Sequence, residues 1–340
     1  MRDVALILQP GPVVDRLALA MRASHVLIVI FVMSGLAFAA AGVAMGDTFF
    51  LRLATEALIF AGLALSVDIL LGYSGLLSLG QALYFGLGAY VSAVVLKETP
   101  SFWVAMVAAL GTSLVVAILA GLIANRVRGV YFALVTFGLA QVAAKAIYNT
   151  RALGASDGLI GVPIIPINLG VATIMSNAPA AFFLFTLGFI VALYAVSAYL
   201  LDTPFGRVLL AMRANERRVP FLGYSTRNAR LAAYVMAAVV AALSGALYPM
   251  LRGFVSPELL FFSTSGNAVI TVVTGGVGTL AGALYGSVIL TVLKSVIGSM
   301  TEHHLIVIGL LFMATVIFLP KGMMGFIRPR IERFLTGGSQ

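Results

Sequence analysis

The sequence has no cysteine, three histidines, one tryptophan and few charges: only 10% of its 340 residues are Asp, Glu, Lys or Arg. Without cysteine there is no disulfide framework, no thiolate metal site and no cysteine nucleophile. Soluble domains carry about 25% charged residues, so a chain this poor in charge cannot cover a water-facing surface. The histidines offer no metal site. His303 and His304 are adjacent, beside Glu302, and so do not share a helix face, while His25 is isolated. No glycine-rich loop ends in Gly-Lys-Ser/Thr, so the chain has no phosphate loop. If ATP drives this protein, another chain binds it. With no catalytic cluster, the sequence reads as a non-enzyme with no metal and no bound cofactor of its own. A membrane barrel needs short strands alternating apolar with polar residues, and these runs are long and apolar throughout.

What is present is hydrocarbon: 61% of the residues are hydrophobic. Apolar runs recur at the roughly 20-residue length that carries a helix across a bilayer. They bracket at about 26–45, 51–71, 77–96, 103–124, 130–149, 180–201, 231–251, 265–275, 278–298 and 305–319. The expected fold is an all-α polytopic membrane protein of about ten segments with glycine-broken helices, the stretch 265–298 being one span or a broken pair. Residues 1–25 read as an interfacial N-terminal segment, since "DVALILQPG" is too short for a signal peptide and is broken by Pro10 and Gly11. The transmembrane core would be 26–320, and 321–340 a C-terminal tail.

The net charge of +9 does not point to nucleic acid, because the basic residues sit at span ends and in one loop. Arg2, Arg16 and Arg22 precede the first span, and Arg126 and Arg128 lie in a short link. Six arginines crowd the loop 202–230, and Lys321, Arg328, Arg330 and Arg333 follow the last span. The positive-inside rule puts all four clusters, and both termini, in the cytoplasm. The loop 150–179 then faces outward.

Five glycines stand in "GYSGLLSLGQALYFGLGAYV" (72–91), although each costs a helix interior about 1 kcal/mol. "GLLSLGQALYFG" (75–86) resembles "GTLAGALYG" (278–286), which suggests an internal, inverted repeat. Glycine-interrupted segments at corresponding places in two halves point to a transporter's substrate path. The path residues would be Asp68, Tyr73, Ser74, Gly75, Ser78, Gly80, Gln81, Gly275, Gly276 and Gly278; the plainer alternative is that the glycines only pack against neighbours. Asp68 stands inside an apolar span, and an intramembrane carboxylate needs a function or a partner. Lys145 and Lys294 are the nearby candidates for pairing, and Glu56 is expected at the interface. The loop "DTPFGRVLLAMRANERRVPFLGYSTRNAR" (202–230) mixes short apolar faces (Leu209, Leu210 and Met212; Val219, Phe221 and Leu222) with basic residues. It reads as a helix lying on the inner membrane face, as a docking element, or as a solvated positive loop.

These pieces, with "RGVYFALVTFGLAQV" (128–142), "GASDGLIGVP" (154–163), "GGVGTLAGALYG" (275–286) and "PKGMMG" (320–325), resemble in order and spacing the permease subunits of branched-chain amino-acid ABC transporters of the LivM type. The resemblance covers about 50–325. It implies a bacterial inner-membrane pore made with a second related permease subunit, two cytoplasmic ATPases carrying ATP and Mg, and a periplasmic substrate-binding protein, all set in membrane lipid. It implies that 203–224 couples to an ATPase through Phe205, Arg207, Arg213, Asn215, Glu216, Leu222 and Gly223. It also implies that Ser156, Asp157 and Gly158 face the binding protein. The chain departs from the family pattern at Asp68 (often neutral), Gln81 (often His) and Pro220, which interrupts the coupling segment. Import of urea or a short amide, and an ion-coupled carrier or channel using Asp68, stand as alternatives.

Overall fold

The structure, a computed structural model, describes residues 12–46, 48–168, 173–175, 177–300, 304–318 and 322–327. Helix α1 (Pro12–Met45) runs unbroken into the first apolar stretch, so the boundary drawn at residue 25 falls inside one helix. Then come α2 (Thr48–Asp68), continued by a π-helical turn over Ile69–Ser74, and α3 (Gln81–Glu98). Helices α4 (Phe102–Ala124) and α5 (Val130–Tyr148) follow. The loop 150–179 contributes to two small antiparallel pairs. Strand β1 (Leu159–Ile160) pairs with β4 (Phe254–Val255), and β2 (Pro166–Asn168) with β3 (Thr173–Met175). The second half contains α6 (Pro179–Asp202), α7 (Pro204–Asn215), α8 (Thr226–Gly245) and the short α9 (Tyr248–Arg252). It closes with α10 (Phe262–Gly275), α11 (Ala281–Met300) and α12 (His304–Phe318).

Seven helical stretches among the described residues are long and apolar enough to cross a membrane: Val26–Met45, Thr48–Ser74, Phe102–Ala124, Val130–Tyr148, Pro179–Asp202, Thr226–Arg252 and Ala281–Met300. The expected count was ten. The difference lies in α3, α10 and α12, which are shorter or less apolar. The run expected over 77–96 starts as a helix only at Gln81, because the chain leaves the π turn at Gly75 and is non-helical to Gly80. The stretch 265–298 is a broken pair, interrupted over 276–280.

The core is built on α2 and α8. In an 18-residue apolar window of each stretch, 78% of the residues are buried in Thr48–Ser74 and 67% in Thr226–Arg252, against 17% in the peripheral Val26–Met45. Helix α2 packs on α11, α8, α6 and α10, and α3 packs on α8 and α4. Hydrocarbon gives helices in lipid no reason to prefer one another, so association rests on close backbone approach and interhelical hydrogen bonds. Both are present. Gly88 lies against the Ala242 carbonyl and Gly245 against that of Phe85, bringing α3 onto α8. Buried hydroxyls cross between helices: Ser244 Oγ donates to Ile59 O at 2.5 Å, Ser287 Oγ to Ala57 O at 2.7 Å and Ser92 Oγ to Ala246 O at 2.9 Å. The Tyr84 hydroxyl meets that of Tyr234 at 3.0 Å. For Gly88, packing is thus the observed role.

Candidate functional site

The two glycine-rich interruptions meet in space, and Asp68 joins them. Its carboxylate is fully buried. Oδ1 accepts the backbone N–H of Gly278 at 2.6 Å and Oδ2 that of Leu280 at 2.8 Å. Neither lysine considered from the sequence pairs with it. Lys145 Nζ stands 5.0 Å from the Tyr148 ring centroid, and Lys294 lines a separate cavity. The amides that Asp68 holds belong to the 276–280 link just before α11, where helix-starting N–H groups have no intrahelical acceptor. Consecutive amides in such turns form concavities for anions, and here the anion is the chain's own side chain. The link has an unusual backbone: Gly278 has φ 81° and Leu280 φ 50°. Leu280 pays for a region that L residues seldom enter, and the carboxylate on its N–H offsets that cost. Gly72, one turn after Asp68, allows this approach: a Cβ there would lie 2.5 Å from Asp68 Oδ1 and 2.6 Å from Gly278 N.

The first interruption is tied down in the same manner. Ser74, buried, donates to Leu70 O at 2.6 Å, and Tyr73 is half-buried against the core. The π turn ends at Gly75 in the left-handed region. Ser78 and Gln81 are buried: Gln81 Nε2 lies 3.5 Å from Ser78 Oγ, and Ser66 Oγ donates to Gln81 Oε1 at 3.5 Å. Thr136 Oγ1 accepts from Leu79 N at 3.3 Å, and Gly80 rests on the Thr136 carbonyl. Ser265 of α10 accepts from Ala82 N at 3.0 Å, capping the start of α3 from the other half of the chain. Gly275 and Gly276 end α10, Gly275 with its backbone against Gly282. Of the ten residues read as a path, Asp68 and Gly278 are in direct contact at the joint between the two interruptions, while Ser78, Gly80 and Gln81 are tied to Ser66 and Thr136 beside the first interruption.

Helix α7 is seated against this joint. Pro204 occupies its first turn, where the missing N–H is no loss. Leu209 and Met212 are buried and Phe205 packs on the core, while Arg207 and Asn215 face outward. The Arg213 guanidinium reaches back and donates to the Gly72 carbonyl, in the π turn itself. Glu216 pairs with Arg128 at 3.6 Å and Arg230 at 3.5 Å, fastening the end of α7 to the α4–α5 link and to α8. Pro220 does not disrupt the segment: it stands at the start of a 3-10 turn, Val219–Leu222, closed by Gly223 at φ 81°. That turn presents Phe221, Leu222 and Tyr224 at 90%, 68% and 51% exposure. Sequence reasoning named Leu222 and, in the apolar face, Phe221, but not Tyr224; the signal available was a second aromatic within four residues of a basic loop.

On the 150–179 loop, Ser156 and Asp157 are exposed, Ser156 Oγ donating to Asp157 Oδ1 at 3.1 Å. Gly158 is buried against the Val255 carbonyl, at the point where β1 joins β4. Glu56 makes an ion pair with Arg252 at 2.5 Å, and its side chain is 15% exposed. His303 and the side chains of His25 and His304 lie outside the described residues.

A family model described as "Branched-chain amino acid transport system / permease component" matches residues 49–316, a stretch that takes in both interruptions and α7. The chain belongs to this family. The high-affinity branched-chain amino acid transport system permease protein LivM of Salmonella typhimurium is 28% identical over 325 residues, covering 89% of this chain and 76% of that protein. The LivM of Escherichia coli is 27% identical over 302 residues, covering 82% and 71%. A second permease of the Salmonella system, LivH, is 26% identical over 144 residues, covering 42% of this chain and 46% of its own. No solved structure matches. Family membership agrees with the sequence resemblance and does not favour the urea and short-amide alternative.

Proposed function

We propose that this chain is the transmembrane permease subunit of an ATP-driven ABC importer that carries branched-chain or related amino acids across the bacterial inner membrane. The observation that carries the mechanism is the hydrogen bond from Arg213 on α7 to Gly72, four residues from Asp68 and against Gly278. A cytoplasmic ATPase that moves α7 thereby moves both broken helices together. The apolar turn Phe221–Tyr224 gives that ATPase a surface, and Arg207, Asn215 and Gly223 complete it. ATP and Mg sit on the two ATPase partners. The 150–179 region, with Ser156 and Asp157, meets the periplasmic binding protein. Likeness to both LivM and LivH supports a pore formed with a second related permease. Helices α3, α10 and α12 complete ten crossings with both termini cytoplasmic, and the two interruptions are corresponding parts of an internal repeat. The permease does no covalent chemistry. Each of its conformations must prefer a different combination of substrate and nucleotide state for the cycle to run in one direction.

The test is uptake of labelled leucine into proteoliposomes holding this chain, its partner permease and the ATPases, with the loaded binding protein supplied. We expect accumulation that requires both ATP and the binding protein. Hydrolysis without leucine uptake would reject the substrate class, and uptake indifferent to ATP would reject the importer.

A further inference from the structure

A cavity of about 390 Å³ opens between α2, α10 and α11, within the roughly 300–1,000 Å³ typical of small-molecule sites. No residue of the 68–81 stretch lines it. It lies toward the other end of the helices from the joint: Lys294 is fourteen residues beyond Leu280, about 20 Å along a helix. Three charges line it: Glu56, Arg252 and Lys294. Arg252 takes Glu56 Oε2. Lys294, half-buried, has no ion pair or hydrogen bond among the described residues, and the Asn267 side chain beside the cavity makes no hydrogen bond among them either. The rest of the wall mixes hydroxyl side chains, Thr271, Ser287 and Thr291 among them, with an apolar part that includes Phe60, Leu63 and Leu290.

We infer that this cavity is a binding site for a zwitterionic α-amino acid with an aliphatic side chain, Lys294 holding its carboxylate. The inference rests on the importer reading for its substrate class. An ammonium within a membrane-spanning helix is costly unless it is paired or reaches water; Glu56 acts on Lys294 only through its field, with no ion-pair contact, while its Oε2 is held by Arg252. An incoming carboxylate supplies a direct contact partner. The substrate ammonium finds acceptors in Glu56 Oε1 and the Asn267 amide oxygen, and the side chain meets Phe60, Leu63 and Leu290. A neutral amide would leave the lysine uncompensated. The site selects by charge at one end and by apolar contact at the other.

Because the chain has no cysteine, a Thr291→Cys variant carries a single thiol on the cavity wall. In the assembled importer, we expect leucine to slow alkylation of that thiol by a water-soluble reagent at least about threefold, as a ligand occupying most of the site would. Leucinamide, lacking the carboxylate, should not. Adding Lys294→Met should abolish protection, and adding Lys294→Arg, which keeps the charge and controls for folding, should retain it. Removing one partner of a buried charge pair commonly costs 2–5 kcal/mol, so ATP-driven uptake by Lys294→Met should fall at least about tenfold. Unchanged alkylation with leucine present, or protection that survives Lys294→Met, overturns the site. ATP-driven leucine uptake without protection would remove the site and leave the importer; protection without ATP-driven uptake would do the reverse.

Discussion

Asp68 illustrates how much one side chain can hold when its partners are backbone. Replacing it with alanine leaves the Gly278 and Leu280 amides buried without acceptors, at about 1–3 kcal/mol each, and frees Leu280 from the contact that offsets its positive φ. Asp68→Asn keeps one acceptor but turns an N–H toward the other amide. We expect both variants to insert and to melt several degrees lower in detergent, alanine more than asparagine, measured by thermal aggregation of the purified chain. Gly72→Ala should be as damaging as Asp68→Ala, because its Cβ would meet the backbone of Gly278, which cannot rotate away as a side chain would. An Asp68→Asn variant as stable as the parent would show that the carboxylate does not hold the joint. The carboxylate, for which the sequence leaves open a structural partner or a place in the path, accepts two backbone amides in the folded chain.

At the scale of elements, α7 is the part whose sequence and structure say different things about the same residues. Its amphipathic pattern, its start at Pro204 and its basic flank were legible because they are local. So were the two glycine-rich interruptions and the long apolar spans. The inward reach of Arg213 was not, since its acceptor is a backbone carbonyl 141 residues away, and no pattern in the loop names a carbonyl. The Glu56–Arg252 pair spans 196 residues and was hidden for the same reason. The start of α3 was misplaced because Leu76, Leu77 and Leu79 look like span, whereas the backbone there is held by Thr136 from another helix. Two variants separate the two jobs of α7. Arg213→Ala should leave ATPase binding intact but sever it from transport, so that the loaded binding protein no longer stimulates hydrolysis. Phe221→Ser should instead weaken co-purification of the ATPase, removing an exposed apolar contact worth about 1–3 kcal/mol. If Arg213→Ala keeps normal ATP-driven uptake, the hydrogen bond to Gly72 is not the route of coupling.

At the scale of the whole molecule, the helices divide into a buried pair, α2 and α8, and a periphery much more open to its surroundings. Helix α2 and the chain from the 276–280 link through α11 carry both the Asp68 joint and walls of the charged cavity.

The Asp68 joint also has a consequence for how the chain is made. The amides that Asp68 needs lie 210 and 212 residues downstream. At about 5–20 residues per second, α2 must wait roughly 10–40 s in the membrane with an unsatisfied carboxylate before its partners leave the ribosome. During that interval the helix is better accommodated beside the insertion machinery than in lipid. Nascent chains halted before Gly278 should therefore crosslink from α2 to the insertase, and chains halted well beyond Leu280 should not. In an Asp68→Leu background that difference should disappear.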